Sequence, residues 1–335
     1  MNYQEIIVSR KQEFGSRLAI LGHHYQSDSI INYVDHVGDS LELARTIGQL
    51  DAEHIVFCGV WFMAESAAIL KREGQKIHTP EPNATCTMAE MAQAMTVRKV
   101  LKILRGTGRN IIPLTYVNST AGVKAVVGEM GGAVCTSANA RTMLSWAMDQ
   151  GDGVLFLPDK HLAYNTGSAI GIPVAKRILV DIVNPTDDDD ATLFMWPGYC
   201  PVHDMYIDAD VARARRDDPD ALIVVHPECP ASVVEAVDAN GSTAFIIDYV
   251  AEAPDGTTIY VGTESNLVNR LAKEYAGRKT IKHLDAGYCE DMAKVTVEKL
   301  GDLLSRLETA VPVETEQSIV IPARLALQRM LDACA

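Results

Sequence analysis

Residues 193–200 read Leu-Phe-Met-Trp-Pro-Gly-Tyr-Cys, a short apolar run that ends in the tripeptide Gly-Tyr-Cys. The same tripeptide recurs at residues 287–289, and in both places a helix-like segment follows. Short, nearly continuous apolar runs are typical of strands in parallel sheets that helices cover on both faces. A thiol just before a helix lies near unpaired N–H groups and the positive end of the helix dipole, which makes it a better metal ligand. The stretch therefore predicts an α/β fold and a cysteine site at the end of a strand.

Apolar runs of this kind alternate with amphipathic segments along the whole chain. Such alternation is typical of repeated βα units. The predicted strands cover residues 17–21, 54–60, 110–117, 153–157, 193–196, 221–225 and 258–261. The clearest predicted helices cover residues 39–50, 62–72, 138–150, 264–275 and 290–307. We therefore expect small parallel sheets with helices on both faces.

A third cysteine, Cys86, sits in a similar setting between a loop and a helix-like segment. Cys86, Cys200 and Cys289 are 114 and 89 residues apart, so that each closes a block of roughly domain size. This spacing predicts three similar three-layer αβα domains, at residues 1–86, 87–200 and 201–289, each giving one cysteine to a central interface. A helical segment at residues 290–335 is expected to pack back on the domains. Three equivalent thiols suggest one shared metal.

The middle block is longer than the third, and we assign the excess to an inserted surface excursion near residues 165–192. This segment carries two prolines and an acidic run, Asp-Asp-Asp-Asp at residues 187–190. Such a run is most simply a solvated loop.

Charge and length limit the classes of partner. The chain has 335 residues and a net charge of −14, with no cluster of lysine and arginine. Nucleic acids and anionic membranes bind basic patches, so neither is an expected partner. The N-terminus lacks a signal-like segment, and no apolar run is long enough to span a membrane. The sequence therefore predicts a soluble, cytoplasmic protein.

Cysteine usage points to a metal held by residues distant in sequence. The seven cysteines are odd in number and occur without an export signal, which indicates reduced thiols rather than disulfides. No Cys-x-x-Cys pair is present, and this disfavours a zinc ribbon or a bacterial ferredoxin site.

Polar, reactive residues follow several predicted strands, where ligands bind in open α/β sheets. His23 and His24 follow the first strand, although a capped turn or a core contact explains them equally well. Hydroxyl-rich segments at residues 118–120, 135–139 and 241–243 precede helices. Such segments cap helices by default, and they also bind carboxylate or phosphate through the same N–H groups.

A second histidine motif follows the strand that ends at residue 225. His226 and Glu228 flank Pro227, which places an imidazole and a carboxylate at one rigid turn. This arrangement predicts an acid–base pair. His203, three residues beyond Cys200, is expected to project from the first helical turn toward whatever Cys200 binds.

The motifs in their order resemble the quinolinate synthase (quinolinate synthetase A) family over nearly the whole chain. The segments that carry the resemblance are Gly-His-His-Tyr-Gln (22–26), Gly-Asp-Ser-Leu-Glu-Leu-Ala-Arg (38–45), Phe-Met-Ala-Glu-Ser-Ala (62–67), Tyr-Val-Asn (116–118), Cys-Thr-Ser-Ala-Asn-Ala (135–140), Leu-Pro-Asp-Lys (157–160), His-Pro-Glu-Cys (226–229) and Gly-Thr-Glu (262–264).

The resemblance implies an enzyme of NAD biosynthesis, a transferase that condenses iminoaspartate with dihydroxyacetone phosphate to give quinolinate, phosphate and water. It implies three α/β domains around a pseudo-threefold axis. At their interface a [4Fe–4S] cluster, one per chain, would be held by Cys86, Cys200 and Cys289. Three thiolates leave one iron open, which can act as a Lewis acid. L-Aspartate oxidase, which supplies the imine, is the implied functional partner.

The resemblance also implies the residues of the site. The implied substrate-binding residues are His23, Ser40, Tyr116, Val117, Asn118, Ser137, His203, His226, Pro227, Glu228 and Thr243. Glu228 would act as general base, assisted by His226. Tyr25 and Tyr116 would position the triose and shuttle protons. The remaining cysteines, Cys58, Cys135, Cys229 and Cys334, have no expected part in binding the metal.

Two rival functions share parts of this pattern. A diphthamide-synthesis type enzyme has the same three-cysteine plan but uses the open iron to cleave S-adenosylmethionine, and a non-enzymatic iron–sulfur sensor would only report oxygen or iron. The Tyr-Val-Asn and His-Pro-Glu-Cys segments favour quinolinate synthase over the first. A sensor needs a surface that binds a partner or DNA, and the acidic net charge gives no evidence for one. The segment after residue 160 departs from the family by its length.

Overall fold

The computed structural model describes residues 2–106, 108–186, 188 and 190–334. Asp187 and Asp189 of the predicted acidic run lie outside the described residues. The chain divides into two compact units. Unit 1 comprises residues 1–86 and 288–317, and unit 2 comprises residues 87–287 and 318–335.

Unit 1 is built on a four-stranded parallel sheet in the order β2-β1-β3-β4. Its strands are β1 (Leu18–His23), β2 (His36–Gly38), β3 (His54–Cys58) and β4 (Lys76–His78). Its helices are α1 (Tyr3–Phe14), α2 (Asp28–Ile31), α3 (Ser40–Ile47), α4 (Trp61–Leu70), α15 (Glu290–Ala293) and α16 (Val297–Ser305). Every residue of β1 and β3 is buried, because these two strands form the middle of the sheet. Apolar side chains of α1 and α16 complete this core, among them Ile7, Phe14, Leu300 and Leu304.

The single helix predicted at residues 290–307 is wrong. The structure has two helices there, α15 and α16, because Thr296 caps the second one. The Thr296 side chain accepts a hydrogen bond from the backbone N–H of Lys299, which starts a new helix at Val297. Threonine favours this capping position over the interior of a helix.

Unit 2 contains two further parallel sheets. The first has five strands in the order β6-β5-β7-β9-β8, and the second has four in the order β11-β10-β12-β13. The strands are β5 (Ile111–Tyr116), β6 (Ala133–Cys135), β7 (Gly153–Leu157), β8 (Arg177–Leu179), β9 (Leu193–Met195), β10 (Leu222–Val225), β11 (Ala239–Asn240), β12 (Thr258–Gly262) and β13 (Thr280–His283). Apolar β strands such as β5, β7 and β9 are fully buried in the sheet.

The helices of unit 2 flank these sheets. They are α5 (Thr87–Glu90), α6 (Ala94–Leu104), α7 (Ala121–Glu129), α8 (Ala140–Met148), α9 (Lys160–Ala169), α10 (Pro201–Asp204), α11 (Asp208–Asp217), α12 (Ala231–Ala236), α13 (Thr243–Glu252), α14 (Ser265–Glu274) and α17 (Gln317–Ala333). Helix α17 packs closely on α7, since a Cβ at Gly128 would lie 1.8 Å from the carbonyl oxygen of Pro322.

The segment predicted as a surface excursion, residues 165–192, contributes to the fold. Its first residues complete α9, and residues 177–179 form β8, which pairs with β9 at the edge of the five-stranded sheet. This extra strand distinguishes the middle sheet from the two four-stranded ones.

Three small parallel sheets with flanking helices confirm the predicted α/β fold. The three domain boundaries at the cysteines and the pseudo-threefold axis stay predictions. Among the described residues, no helix is both long enough and apolar enough to cross a membrane.

Candidate active site

A buried carboxylate lies at the centre of the candidate site in unit 2. Glu228 follows β10 and is 2% exposed. Its Oε2 lies 3.0 Å from Nδ1 of His203, which is carried by α10, and its carboxylate also accepts a hydrogen bond from Tyr116 at the end of β5. The structure thus brings together side chains from three segments more than 20 residues apart in sequence.

Two hydrogen bonds and one stacking contact fix the imidazole ring of His203. Its Nε2 lies 3.1 Å from Oγ1 of Thr263, while its Nδ1 faces Glu228. The ring stacks on that of His226, with the ring centroids 4.4 Å apart and the planes inclined by 17°. Because both ring nitrogens are hydrogen-bonded and both rings are buried, the imidazole of His203 is held in one orientation.

The charge state of this group follows from its neighbours. Burial favours the neutral acid and by itself raises the pKa of Glu228, but His226, His203 and Tyr116 lower that pKa to about 2. Burial, together with the charge of His203, lowers the pKa of His226 to about 3. At neutral pH the site therefore holds an ionised Glu228 beside a neutral His226.

His226 and His23 each begin a turn in which the imidazole accepts a hydrogen bond from the backbone two residues later. Nδ1 of His226 accepts the backbone N–H of Glu228 at 3.4 Å, and Nδ1 of His23 accepts that of Tyr25 at 3.1 Å. Each histidine stands at the end of the first long strand of its sheet. Because Nδ1 is the acceptor, the proton of the neutral ring resides on Nε2, which is then a donor toward a ligand.

Cys200 borders the buried network. Its thiol, an imidazole nitrogen of His203 and a carboxylate oxygen of Glu228 lie within 4.8 Å of one another. Thiolate, imidazole and carboxylate are all metal ligands, so this group could hold a metal ion. His203, however, would have to give up a hydrogen bond to Glu228 or to Thr263 in order to bind one.

The same backbone contacts hold both Gly-Tyr-Cys loops. Gly198 forms an isolated parallel bridge with Asp159, and Gly287 forms one with Glu264. The residue after each acid donates its N–H to the glycine carbonyl oxygen, at 2.8 and 2.6 Å. Each acid is fully buried and caps the helix that follows it, α9 or α14.

Glycine is required in both loops. A Cβ at Gly198 would lie 2.5 Å from the carbonyl oxygen of Pro158, and one at Gly287 would lie 2.7 Å from Oη of Tyr206. The close approach of the backbone therefore explains the repeated glycine.

The cysteines of the two loops have nearly the same backbone conformation. Cys200 occupies the N-cap position of α10 with φ −86° and ψ 118°, and Cys289 occupies that of α15 with φ −94° and ψ 101°. Cys86 directly precedes α5 in the chain. All three are partly exposed, and none of the seven cysteines, which all lie within the described residues, forms a disulfide.

The Tyr116-Val117-Asn118 segment forms a rigid turn after β5. Nζ of Lys124, a fully buried residue on α7, donates to the carbonyl oxygens of Val117, at 2.8 Å, and of Ser119. Within the described residues, Oδ1 of Asn118 is buried and has no hydrogen-bond partner. A buried acceptor of this kind is expected to bind a ligand or an ordered water molecule.

Ser137 lines a cavity of about 360 Å³ in unit 2, together with Pro227 and Ser242. Thr243, next to Ser242, is the first residue of α13. Two helices, α8 and α13, therefore begin at the edge of this cavity.

The remaining predicted residues lie in unit 1. His23 ends β1 and is buried, and Tyr25 packs against its ring at 4.6 Å between centroids. Ser40 is the first residue of α3, whose start is fixed by a capping box between Asp39 and Glu42. These residues stand after the carboxyl ends of parallel strands, where α/β sheets bind ligands.

Sequence reasoning missed three residues that hold the site together: Asp159, Lys124 and Thr263. Asp159 and Thr263 lie inside the motifs Leu-Pro-Asp-Lys and Gly-Thr-Glu, so the motifs themselves were a signal. Lys124 carries a weaker signal, a cation among the apolar residues of α7, nearly all of which are buried.

Comparison with known proteins agrees with the resemblance. The family described as quinolinate synthetase A protein matches residues 5–332. A protein of Bacillus subtilis named quinolinate synthase is 41% identical over 337 residues, which cover 97% of this chain and 91% of the relative. Proteins of the same name from Anoxybacillus flavithermus and Corynebacterium glutamicum are 40% and 41% identical, each over 96% of this chain and over 90% and 85% of their own lengths. The chain therefore belongs to the quinolinate synthetase A family.

Proposed function

We propose that this protein is a quinolinate synthase, a cytoplasmic transferase that condenses iminoaspartate with dihydroxyacetone phosphate in NAD biosynthesis. The family match over residues 5–332 supports the activity. The observation that carries the assignment of the site is the ionised, buried Glu228 beside Cys200 and His203. Quinolinate, phosphate and two molecules of water balance the atoms of the two substrates, so the reaction requires no oxidant or reductant.

The chemistry of the thiols supports a cluster held by three cysteines. Burial raises the pKa of Cys58 to about 12 and raises the pKa values of Cys135 and Cys229 well above the ordinary value. Thiols that stay protonated are poor metal ligands. Cys334 instead contacts Sδ of Met143 at 3.7 Å near the end of α17.

The remaining thiols are the proposed ligands, Cys86, Cys200 and Cys289, which are all partly exposed. They would hold one [4Fe–4S] cluster per chain. When bound by three thiolates, such a cluster supplies an iron that is open to substrate and acts as a Lewis acid. The residues around Cys200 fit this group, because a soft thiolate lies beside a carboxylate that does not need to bind metal itself.

The proposed substrate pocket uses neutral donors and acceptors. Asn118 would use its buried Oδ1, while Ser137 and Thr243 would bind carboxylate or phosphate at the starts of α8 and α13. Val117 and Pro227 would shape the pocket through their backbone. In unit 1, His23 and Ser40 would bind substrate after β1 and at the start of α3.

Glu228 is the proposed general base. With its neighbours in the protein alone, its pKa of about 2 makes it a weak base. A bound dianionic substrate adds negative charge and excludes water, and both effects raise the pKa of a carboxylate toward the operating pH. His226 would donate from Nε2 to a substrate oxygen, and His203 would orient the substrate and the carboxylate of Glu228.

The tyrosines complete the proposed proton path. Tyr116 donates to Glu228 and can pass a proton to it or receive one from it. Tyr25 follows His23, whose Nδ1 fixes the turn between them. Tyr25 and Tyr116 would both position the triose. L-Aspartate oxidase would supply the unstable imine.

The test is anaerobic reconstitution of the whole chain with iron and sulfide, followed by an assay for quinolinate and phosphate. Wild-type protein is expected to show the absorption and Mössbauer spectra of a [4Fe–4S] cluster and to release one phosphate for each quinolinate. A cluster with no quinolinate, or cleavage of added S-adenosylmethionine in its place, would contradict the proposal.

A further inference from the structure

A single charged side chain lines the cavity that begins at Ser137. The other lining residues within the described parts of the chain are neutral, and the full set is Ser137, Ala138, Ala140, Arg141, Leu162, Asn165, Thr166, Pro227, Ala239, Asn240, Gly241, Ser242 and Phe245. The cavity therefore presents one guanidinium and no carboxylate, in a chain whose net charge is −14.

Arg141 is available for a ligand. It is exposed, it is the second residue of α8, and no hydrogen bond or ion pair joins its side chain to a described residue. Two other arginines of unit 2 are paired instead: Arg98 pairs with Glu129 at 2.5 Å, and Arg215 pairs with Asp238 at 2.8 Å. An unpaired guanidinium beside a cavity without anions attracts an anionic ligand.

The turn before α8 offers further unused polar atoms. Oγ1 of Thr136 and Nδ2 of Asn139 are buried and have no hydrogen-bond partner among the described residues. Both residues are more than nine-tenths buried. Each adjoins a residue that lines the cavity, Ser137 next to Thr136 and Ala140 next to Asn139, in the segment that leads into α8.

Hydroxyl groups surround the same space. Ser137, Thr166 and Ser242 come from three different segments and all line the cavity. Hydroxyls, helix-start N–H groups and one arginine together suit a tetrahedral phosphate, which has more acceptor oxygens than a carboxylate has. A volume of about 360 Å³ is sufficient for a three-carbon phosphate ester.

From this geometry we propose that Arg141 is the residue that binds the phosphate group of the phosphorylated substrate at the mouth of this cavity. The inference rests on the proposed function for the identity of the phosphate ester. It assigns to Arg141 a binding role and no part in the bond-making steps.

The test compares Arg141→Gln and Arg141→Lys with Arg216→Gln, a control that removes another exposed positive charge, on α11. Arg141→Gln is expected to raise the KM for dihydroxyacetone phosphate by about tenfold or more, since hydrogen bonds to charged groups are the strong ones. The values of kcat and of the KM for iminoaspartate should change less than about twofold. Arg141→Lys should restore part of the loss, and Arg216→Gln should resemble wild type.

A higher KM for iminoaspartate alone would overturn the proposal in favour of a dicarboxylate site, and an equal effect of Arg216→Gln would show a general charge effect. Binding of dihydroxyacetone phosphate and of inorganic phosphate to the reconstituted protein, followed by ³¹P NMR, separates this inference from the proposed function. If wild type binds phosphate and Arg141→Gln does not, the site stands even where no quinolinate forms. If both proteins make quinolinate and bind phosphate equally, the inference about Arg141 alone is wrong.

Discussion

The Gly198–Cys200 loop and the Gly287–Cys289 loop share a backbone design. In each, the glycine bridges to a buried acid that caps a helix, and the cysteine stands at the N-cap position of a short helix of four residues. The residues that follow the cysteines differ. After Cys200 comes buried His203, which bonds Glu228, whereas after Cys289 comes Asp291, which forms an ion pair with Lys294 at 2.7 Å.

The shared backbone of the loops and the differing residues after the cysteines have different proposed tasks. The shared loop presents a thiol at a helix start, where a thiol is a better metal ligand, and the proposed task is the same for both loops. In the proposed function, residues beyond the thiol take part in substrate chemistry only after Cys200, where His203 and the thiol lie near Glu228. We therefore expect changes in the shared part to act alike in both loops, and changes beyond it to act differently.

Among changes within the two loops, the largest effect is expected when either thiol is removed. Cys200→Ala and Cys289→Ala should both lose the cluster, and turnover should fall by roughly 10³-fold, because a Lewis acid contributes several kcal/mol. Iron content and quinolinate formation after anaerobic reconstitution measure both effects. Cys334→Ala, at the end of α17, is the control and should keep the cluster. Retention of the cluster by one of the two variants would break the equivalence of the loops.

The glycines should be the next most sensitive positions. Gly198→Ala places a Cβ 2.5 Å from a backbone oxygen, so the loop must move, and we expect a loss of ~1–3 kcal/mol in the free energy of unfolding. Gly287→Ala should cost less, since its nearest contact is the hydroxyl of Tyr206. Urea unfolding measures both. Gly48→Ala is the control, because its Cβ would meet its nearest neighbour only at 3.7 Å. A stable Gly198→Ala protein would show that the loop is not tightly held.

The pH dependence of the unfolding free energy should report the charge state of His226. The pKa of His226 in the folded chain is about 3, below the ordinary 6.5, so the unfolded chain takes up the proton first as the pH falls. His226 therefore makes stability fall as the pH drops from about 6.5 toward about 3. His226→Asn should flatten the pH dependence of the unfolding free energy in this window. Equal slopes for wild type and His226→Asn would contradict the assignment.

The smallest effects are expected at the buried acids that hold the loops. Asp159 accepts the N–H of Cys200 at 3.1 Å and that of Leu162, while Glu264 accepts the N–H of Asn266. Asp159→Asn and Glu264→Gln keep an acceptor oxygen, so each should cost about 1 kcal/mol of stability. Because Asp159 bonds the cysteine itself, Asp159→Asn should release iron to a chelator faster than Glu264→Gln does. The reverse order would mean that the direct bond to Cys200 is unimportant.

The central strands were predictable, whereas the edges of the sheets were not. Long apolar runs such as β5 and β7 are buried on both faces, and their pattern is visible in the sequence. The edge strands β2 and β11 have two or three residues, are not apolar throughout, and form only where a neighbouring strand pairs with them. The break before α16 escaped the prediction because one cap, Thr296, outweighs a continuous helical pattern.

For the site, the nearness of single residues to one another was partly predictable, and their hydrogen-bond partners were not. The placement of His203 three residues after Cys200 pointed to a role near the thiol. Its bond to Thr263, 60 residues away, depends on how β10 and β12 pair, which no local pattern specifies. The same reason hides the link between Asp159 and Cys200.

The central claim, that a cysteine loop holds the cluster while Glu228 performs the chemistry beside it, is tested most directly by Glu228→Gln. The measurement is iron per chain together with quinolinate turnover, in parallel with Cys289→Ala. We predict that Glu228→Gln retains a full [4Fe–4S] cluster and loses roughly 10²–10⁴-fold in turnover, the range typical of a general base. Loss of iron from Glu228→Gln to the level of Cys289→Ala would make Glu228 a metal ligand, and near-normal turnover with an intact cluster would remove it from the mechanism.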